Sequence, residues 1–88
     1  MRFDWDPDKD ERNRRERGLG FDFAALVFEG ETIECSDDRR DYGEARVRAI
    51  GEMDGLVLHV VFTDRGDVRR IISARLANKK ERDGWHAS

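Results

Sequence analysis

Cysteine occurs once in the 88 residues, at Cys35, and proline once, at Pro7. A lone thiol excludes an intrachain disulfide and predicts a protein of the reducing cytoplasm. Histidine is almost as scarce. His59 and His86 lie far apart and, with one cysteine, offer no metal-ligand spacing, so we expect neither metal nor cofactor. There is no glycine-rich phosphate loop and no nucleophile elbow. No window approaches the ~18 apolar residues of a membrane span. The start, Met1-Arg2-Phe3-Asp4-Trp5, has no apolar signal core. These absences predict a soluble protein with no membrane partner.

Charge is what the chain has in abundance. Asp, Glu, Lys and Arg make up 42% of it, against about 25% in ordinary domains. Disorder is excluded by the clustering of apolar residues at 21–28, 56–62 and 68–76. The length predicts one domain, spanning 1–88, with a single modest core. Residues 1–44 carry a balance of −6 and residues 45–88 a balance of +3. An anion-binding surface would therefore be local, made by arginines of the second half. The net acid charge and the lack of interleaved aromatic and basic residues disfavour a general nucleic-acid-binding domain.

The first five residues alternate and predict a short strand. Asp6-Pro7 is a helix start, and the helix over 7–17 has its acids early, its arginines late and Gly18 as its stop. It contains no apolar residue, which makes it marginal alone. A second helix is expected, capped by Asp22, with Phe23, Leu26 and Val27 on its buried stripe and Gly30 at its end. A short strand is expected at Thr32-Ile33-Glu34, and an exposed loop at 36–41. Three antiparallel strands follow over 44–50, 56–63 and 68–75, with turns at 51–55 and 64–67 and a closing helix over 77–83 ended by Gly84. The fold class is α+β: an antiparallel sheet of three to four main strands, packed by two N-terminal helices, with a short C-terminal helix and one sheet face open for function. If the 64–67 loop has an odd residue count, His59, Thr63, Arg69, Ser73 and Arg75 share that face, while Leu58, Val60, Phe62, Ile72 and Ala74 form the core. A two-residue loop would put Arg70 beside His59 and Thr63 instead. The first arrangement buries fewer charges and is preferred.

These residues resemble the BrnT toxin family. The resemblance runs through Phe3-Asp4-Trp5-Asp6-Pro7, Lys9, Asn13, Gly18, Phe21, Ala25 and Val27-Phe28, then Glu44-Ala45-Arg46, Ile50-Gly51, Val61-Phe62-Thr63 and Arg65-Gly66. Its most specific part is Arg70-Ile71-Ile72-Ser73-Ala74-Arg75, followed by Ala77, Glu81-Arg82 and an aromatic at Trp85. The resemblance implies a RelE-like fold and a type II toxin, a ribonuclease that blocks translation. It also implies a BrnA-like antitoxin with a ribbon-helix-helix part, and operator DNA reached only through that antitoxin. One departure stands out. Where the family has Lys-His before the glycine, this chain has Glu16-Arg17, and arginine does not titrate in place of histidine. A second reading therefore stays open: a catalytically weak or inactive homologue that serves as the antitoxin-binding subunit of an autorepressor complex. The family's C-terminal tyrosine is Trp85 here.

Metal-free RNA cleavage needs a base for the 2′-hydroxyl, cations for the phosphorane and an acid for the leaving oxygen. Arginine suits the second task. Arg46, Arg65 and Arg75 are the candidates, with solvated surface positions or salt bridges as the plainer alternative. Glu81 is the candidate base, or else a structural partner of Arg75. Arg70, Ser73 and Arg82 are candidate RNA contacts, although Ser73 could instead cap the last helix. His59 reads as a packed strand residue, and His86 as part of a frayed tail.

Overall fold

The computed structural model describes residues 1–88. Its elements are β1 (Arg2–Asp4), α1 (Pro7–Arg17), α2 (Phe21–Ala25) running on into a 3₁₀ turn at Leu26–Glu29, β2 (Ile33–Ser36), β3 (Val47–Met53), β4 (Leu56–Arg65), β5 (Val68–Leu76) and α3 (Lys79–Ala87). Helix α1 begins and ends as its sequence dictates. The Asp6 carboxylate accepts the Asp8 N–H at 2.9 Å, Pro7 is the first helical residue, and Gly18 closes the helix with φ +67°.

An all-polar helix cannot dock by burying apolar area, and α1 docks by hydrogen bonds instead. Asn13, 8% exposed, donates from Nδ2 to the carbonyls of Leu19 (2.8 Å) and Ala74 (3.0 Å). Arg17 Nη1 donates to the same Ala74 carbonyl at 3.1 Å. Asp10 Oδ1 accepts the Phe21 N–H at 2.8 Å, so the start of α2 is capped from α1. The expected cap, Asp22, lies inside α2 and pairs with Arg14 at 2.8 Å. The buried stripe is Phe21, Ala24 and Val27 rather than Phe23, Leu26 and Val27. The helix begins at Phe21 and tightens into the 3₁₀ turn, whose period of three keeps these positions in line.

The sheet has five strands in the order β1-β5-β4-β3-β2. It is mixed, not purely antiparallel: β1 runs parallel to β5, with Phe3 opposite Arg69. No short turn joins these two strands, so nothing forces them antiparallel. The β3-β4-β5 meander is as expected. Its first strand starts at Val47, later than Glu44, and runs on to a hairpin at Asp54-Gly55, where both residues have positive φ.

The β4–β5 connection corrects the face assignment. The loop is two residues, because Arg65 pairs with Val68 and Thr63 with Arg70. Between Val61 and Phe62 the register shifts: Phe62 faces Ile71, but Val61 faces Ser73. Ile72 is the extra residue of a β-bulge, and beyond it the parity is restored. His59, Thr63, Ser73 and Arg75 therefore do share a face, as expected. Arg69, expected with them, goes to the other face and Arg70 replaces it. Ile71, not Ile72, enters the core at 1% exposed. On the core side, the Arg69 guanidinium lies 3.9 Å from the Phe62 ring centroid and 4.8 Å from that of Phe28. Both of its arms bind Asp64, at 2.8 and 3.0 Å, so a charge is accommodated there after all.

Helices α1 and α2 and the 3₁₀ turn cover one face, burying Leu58, Val60, Phe62 and Ala74. At Gly51 an added Cβ would stand 2.9 Å from the Val27 Cβ, which is how closely the turn sits on β3. Helix α3 lies at one end of the opposite face. It begins at Lys79, not Ala77, and continues through Gly84 to Ala87. Its last turn is held by Trp85 Nε1, which donates to Glu52 at 2.8 Å.

Candidate functional site

Register alone brings a set of polar side chains onto the α3 side of the sheet. Cys35 of β2 faces Arg48 of β3, Ile50 of β3 faces His59 of β4, and His59 faces Arg75 of β5. The first residues of α3 close the end of this row. There Asn78 and Glu81 form a reciprocal capping box: Asn78 Oδ1 accepts the Glu81 N–H at 2.8 Å, and Glu81 Oε1 accepts the Asn78 N–H at 2.9 Å. Together they bound a hollow of about 390 Å³, walled by Ile33, Cys35, Arg48, Ile50, His59, Asn78, Lys80 and Glu81.

The capping box fixes Glu81, and Arg75 takes both of its oxygens, at 2.8 and 3.0 Å. That fork holds the Glu81 carboxyl at a pKa of about 2. His59, 4% exposed, places Nε2 4.0 Å from Glu81 Oε2, and Nε2 is buried without a hydrogen-bond partner. Burial, and then the nearby Arg75 charge, push the His59 pKa below its ordinary value and so favour the neutral imidazole. Arg48 donates from Nη2 to the Cys35 sulfur at 3.5 Å, while its Nε is also buried and unpartnered. Buried polar atoms are nearly always satisfied. The orphaned Arg48 Nε–H, with Arg75 and Lys80 nearby, suits an incoming anion, while a neutral His59 imidazole keeps one ring nitrogen free to accept a proton.

Of the residues singled out by sequence, only Arg75 and Glu81 touch. Arg46 and Arg65 meet elsewhere, sharing the Glu44 carboxylate at 3.2 and 3.1 Å. Arg65 lies six positions along β4 from His59, roughly 20 Å away at strand rise. The Arg46 guanidinium stacks 4.0 Å from the Tyr42 ring centroid. Arg70 pairs with Asp4 at 3.4 Å. Arg82 is exposed and donates to the Ala77 carbonyl at 2.8 Å. Ser73 does not cap α3; it lines a second cleft, of about 220 Å³, with Lys9, Arg12, Asn13, Glu16 and Arg17 of α1.

Arg48, Cys35, Asn78 and Lys80 were not foreseen at the site. Arg48 had a signal, since it alternates with Arg46 and Ile50 on one strand. Cys35 had none, because its place depends on how β2 registers against β3. No three His, Cys, Asp or Glu side chains gather as a metal-binding group, and no helix is long and apolar enough to cross a membrane. Among known proteins, the chain matches a family model described as a ribonuclease toxin, BrnT, of type II toxin-antitoxin systems, over residues 5–81. That span includes the whole Arg48–His59–Arg75–Glu81 group. No curated protein sequence matches the chain.

Proposed function

From the premise that this chain belongs to the BrnT family of ribonuclease toxins, we propose that it is a metal-independent endoribonuclease that blocks translation in the cytoplasm. Its RNA phosphate sits in the hollow between β2–β4 and α3. The observation that carries this reading is the pair of buried, unpartnered nitrogens, Arg48 Nε and His59 Nε2, on two residues that line one hollow beside the Arg75–Glu81 fork. Neutral His59 accepts the 2′-hydroxyl proton as that oxygen attacks the adjacent phosphorus. The bond to the 5′-oxygen breaks, that oxygen takes a proton from solvent and leaves as a 5′-hydroxyl, and a 2′,3′-cyclic phosphate remains. Arg48 and Arg75 stabilise the charge that builds on the phosphorane oxygens. Glu81 holds Arg75 until the phosphate competes for it. Arg46 and Arg65, farther along the same sheet, together with Arg70, Ser73 and Arg82, contact flanking RNA. We read the fold as RelE-like. The partner is a BrnA-like antitoxin whose ribbon-helix-helix part carries the complex to operator DNA.

The repressor-subunit reading keeps one observation of its own. Arg17 stands where the family has histidine, and its guanidinium is engaged by the Ala74 carbonyl. Induced expression separates the two readings. The nuclease reading expects growth arrest and RNA fragments with 5′-hydroxyl ends, unaffected in vitro by EDTA, with both effects abolished by His59→Gln or Arg75→Ala. A parent chain that leaves growth and RNA intact while binding its antitoxin would establish the repressor-subunit reading instead.

A further inference from the structure

Most cations on the sheet are paired within the chain: Arg46 and Arg65 share Glu44, and Arg69 pairs with Asp64, Arg70 with Asp4 and Arg75 with Glu81. Lys9, Arg12 and Arg17 enter none of the ion pairs, and all three line the cleft between α1 and β5, above Ile72 and Ser73. Glu16 is the single acid there, so the cleft has a positive surplus. Lys9, Arg12 and Glu16 are three to four residues apart and so share one face of α1. Asn13 and Arg17 clamp that helix to the Ala74 carbonyl, which sets the cations beside the strand. Ser73, at the cleft floor, is two residues from Arg75 on β5, about 7 Å at strand rise, and its side chain leaves the strand on the same side. With α1 on the core side and the hollow on the other, an RNA strand joining the two passes over the edge of β5 beyond the end of β1, where β5 has no neighbouring strand.

We propose that the α1–β5 cleft is a second RNA subsite, which holds the phosphodiester flanking the cleaved one by contacts from Lys9 and Arg12. This rests on the nuclease reading of the hollow. It also supplies a reason for a helix with no apolar residue: its exposed face binds backbone phosphate.

The test is fluorescence anisotropy with a 2′-O-methyl RNA decamer, which cannot be cleaved, across a KCl series. It compares the full chain with a Lys9→Ser/Arg12→Ser variant. Both side chains are exposed and unpaired, and circular dichroism checks that the fold is kept. Each single-strand phosphate contact contributes about 0.7 to the slope of log affinity against log salt, so the variant slope should be shallower by about 1.4. Lys9→Arg/Arg12→Lys should restore it. On a cleavable decamer the defect should appear in KM. An unchanged slope overturns the subsite, as does a variant that binds RNA normally but loses the antitoxin, which would make the cleft a protein-docking surface. If the parent cleaves no RNA, the nuclease reading falls, and the slope with the blocked decamer still decides the cleft.

Discussion

At His59 two charges of opposite sign compete. Arg75 lowers its pKa and Glu81 raises it, with burial adding the largest downward push. A neutral base loses activity when protonated, so kcat/KM should rise with pH across an acid limb whose inflection lies below the ordinary histidine value of about 6.5. His59→Gln should remove that limb and lower the rate by about 10²–10⁴. Arg75→Ala takes away the charge that opposes protonation and leaves Glu81 facing the ring. The His59 pKa should then move up, measured by NMR titration of the imidazole; a downward move would refute the arrangement. Sequence reading reached the Arg75–Glu81 pair as one of two options, because a strand end and a helix start six residues apart readily meet. His59 it passed over, since an imidazole in an apolar strand looks the same in sequence whether its nitrogen is satisfied or orphaned.

Among the elements, α1 shows how polar groups replace an apolar stripe. Asn13 is its single buried residue and holds two carbonyls at once. Asn13→Ala leaves the Leu19 carbonyl without that donor and the Ala74 carbonyl with Arg17 alone. Unfolding in urea should report a loss of about 1–3 kcal/mol, the range for stranding a buried polar group. A loss below about 0.5 kcal/mol would mean that α1 is held by something else. The caps of α1 were readable because they are local: Asp6, Pro7 and Gly18 act within a turn of themselves. The anchor was not, since Ala74 lies 61 positions from Asn13. The bulge at Ile72 likewise leaves no mark in an unbroken Ile-Ile-Ser-Ala run.

For the molecule as a whole, stability should depend on acid in one direction. Glu81 and Asp37 have folded pKa values of about 2, set by Arg75 and Arg39 respectively. In the unfolded chain these carboxyls titrate near ordinary values of about 4. Below that range the unfolded state binds more protons, so stability present above it is lost as pH falls toward 2. His59 acts in the same sense at higher pH, because a buried neutral imidazole must charge on unfolding below about 6.5. The urea midpoint should therefore be highest near neutral pH, begin to fall below about 6.5 and fall again below about 4. Most of the remaining ion pairs have an exposed member, as Lys79–Asp83 does with both, and should add little. A midpoint insensitive to pH would show that these pairs do not survive in solution.

The one-dimensional pattern was enough for the α+β class, the capped first helix, the β3-β4-β5 meander and the family, because each rests on neighbours in sequence or on residue types in order. It also carried the surplus of arginine into the second half. The parallel docking of β1, the fifth strand and the placing of α3 over the second face needed the folded chain, since they join segments that no turn connects. So did the site itself. The two-residue β4–β5 loop exchanges Arg69 for Arg70 and Ile72 for Ile71, the bulge at Ile72 returns Ser73 and Arg75 to the His59 face, and burial leaves His59 Nε2 and Arg48 Nε without partners.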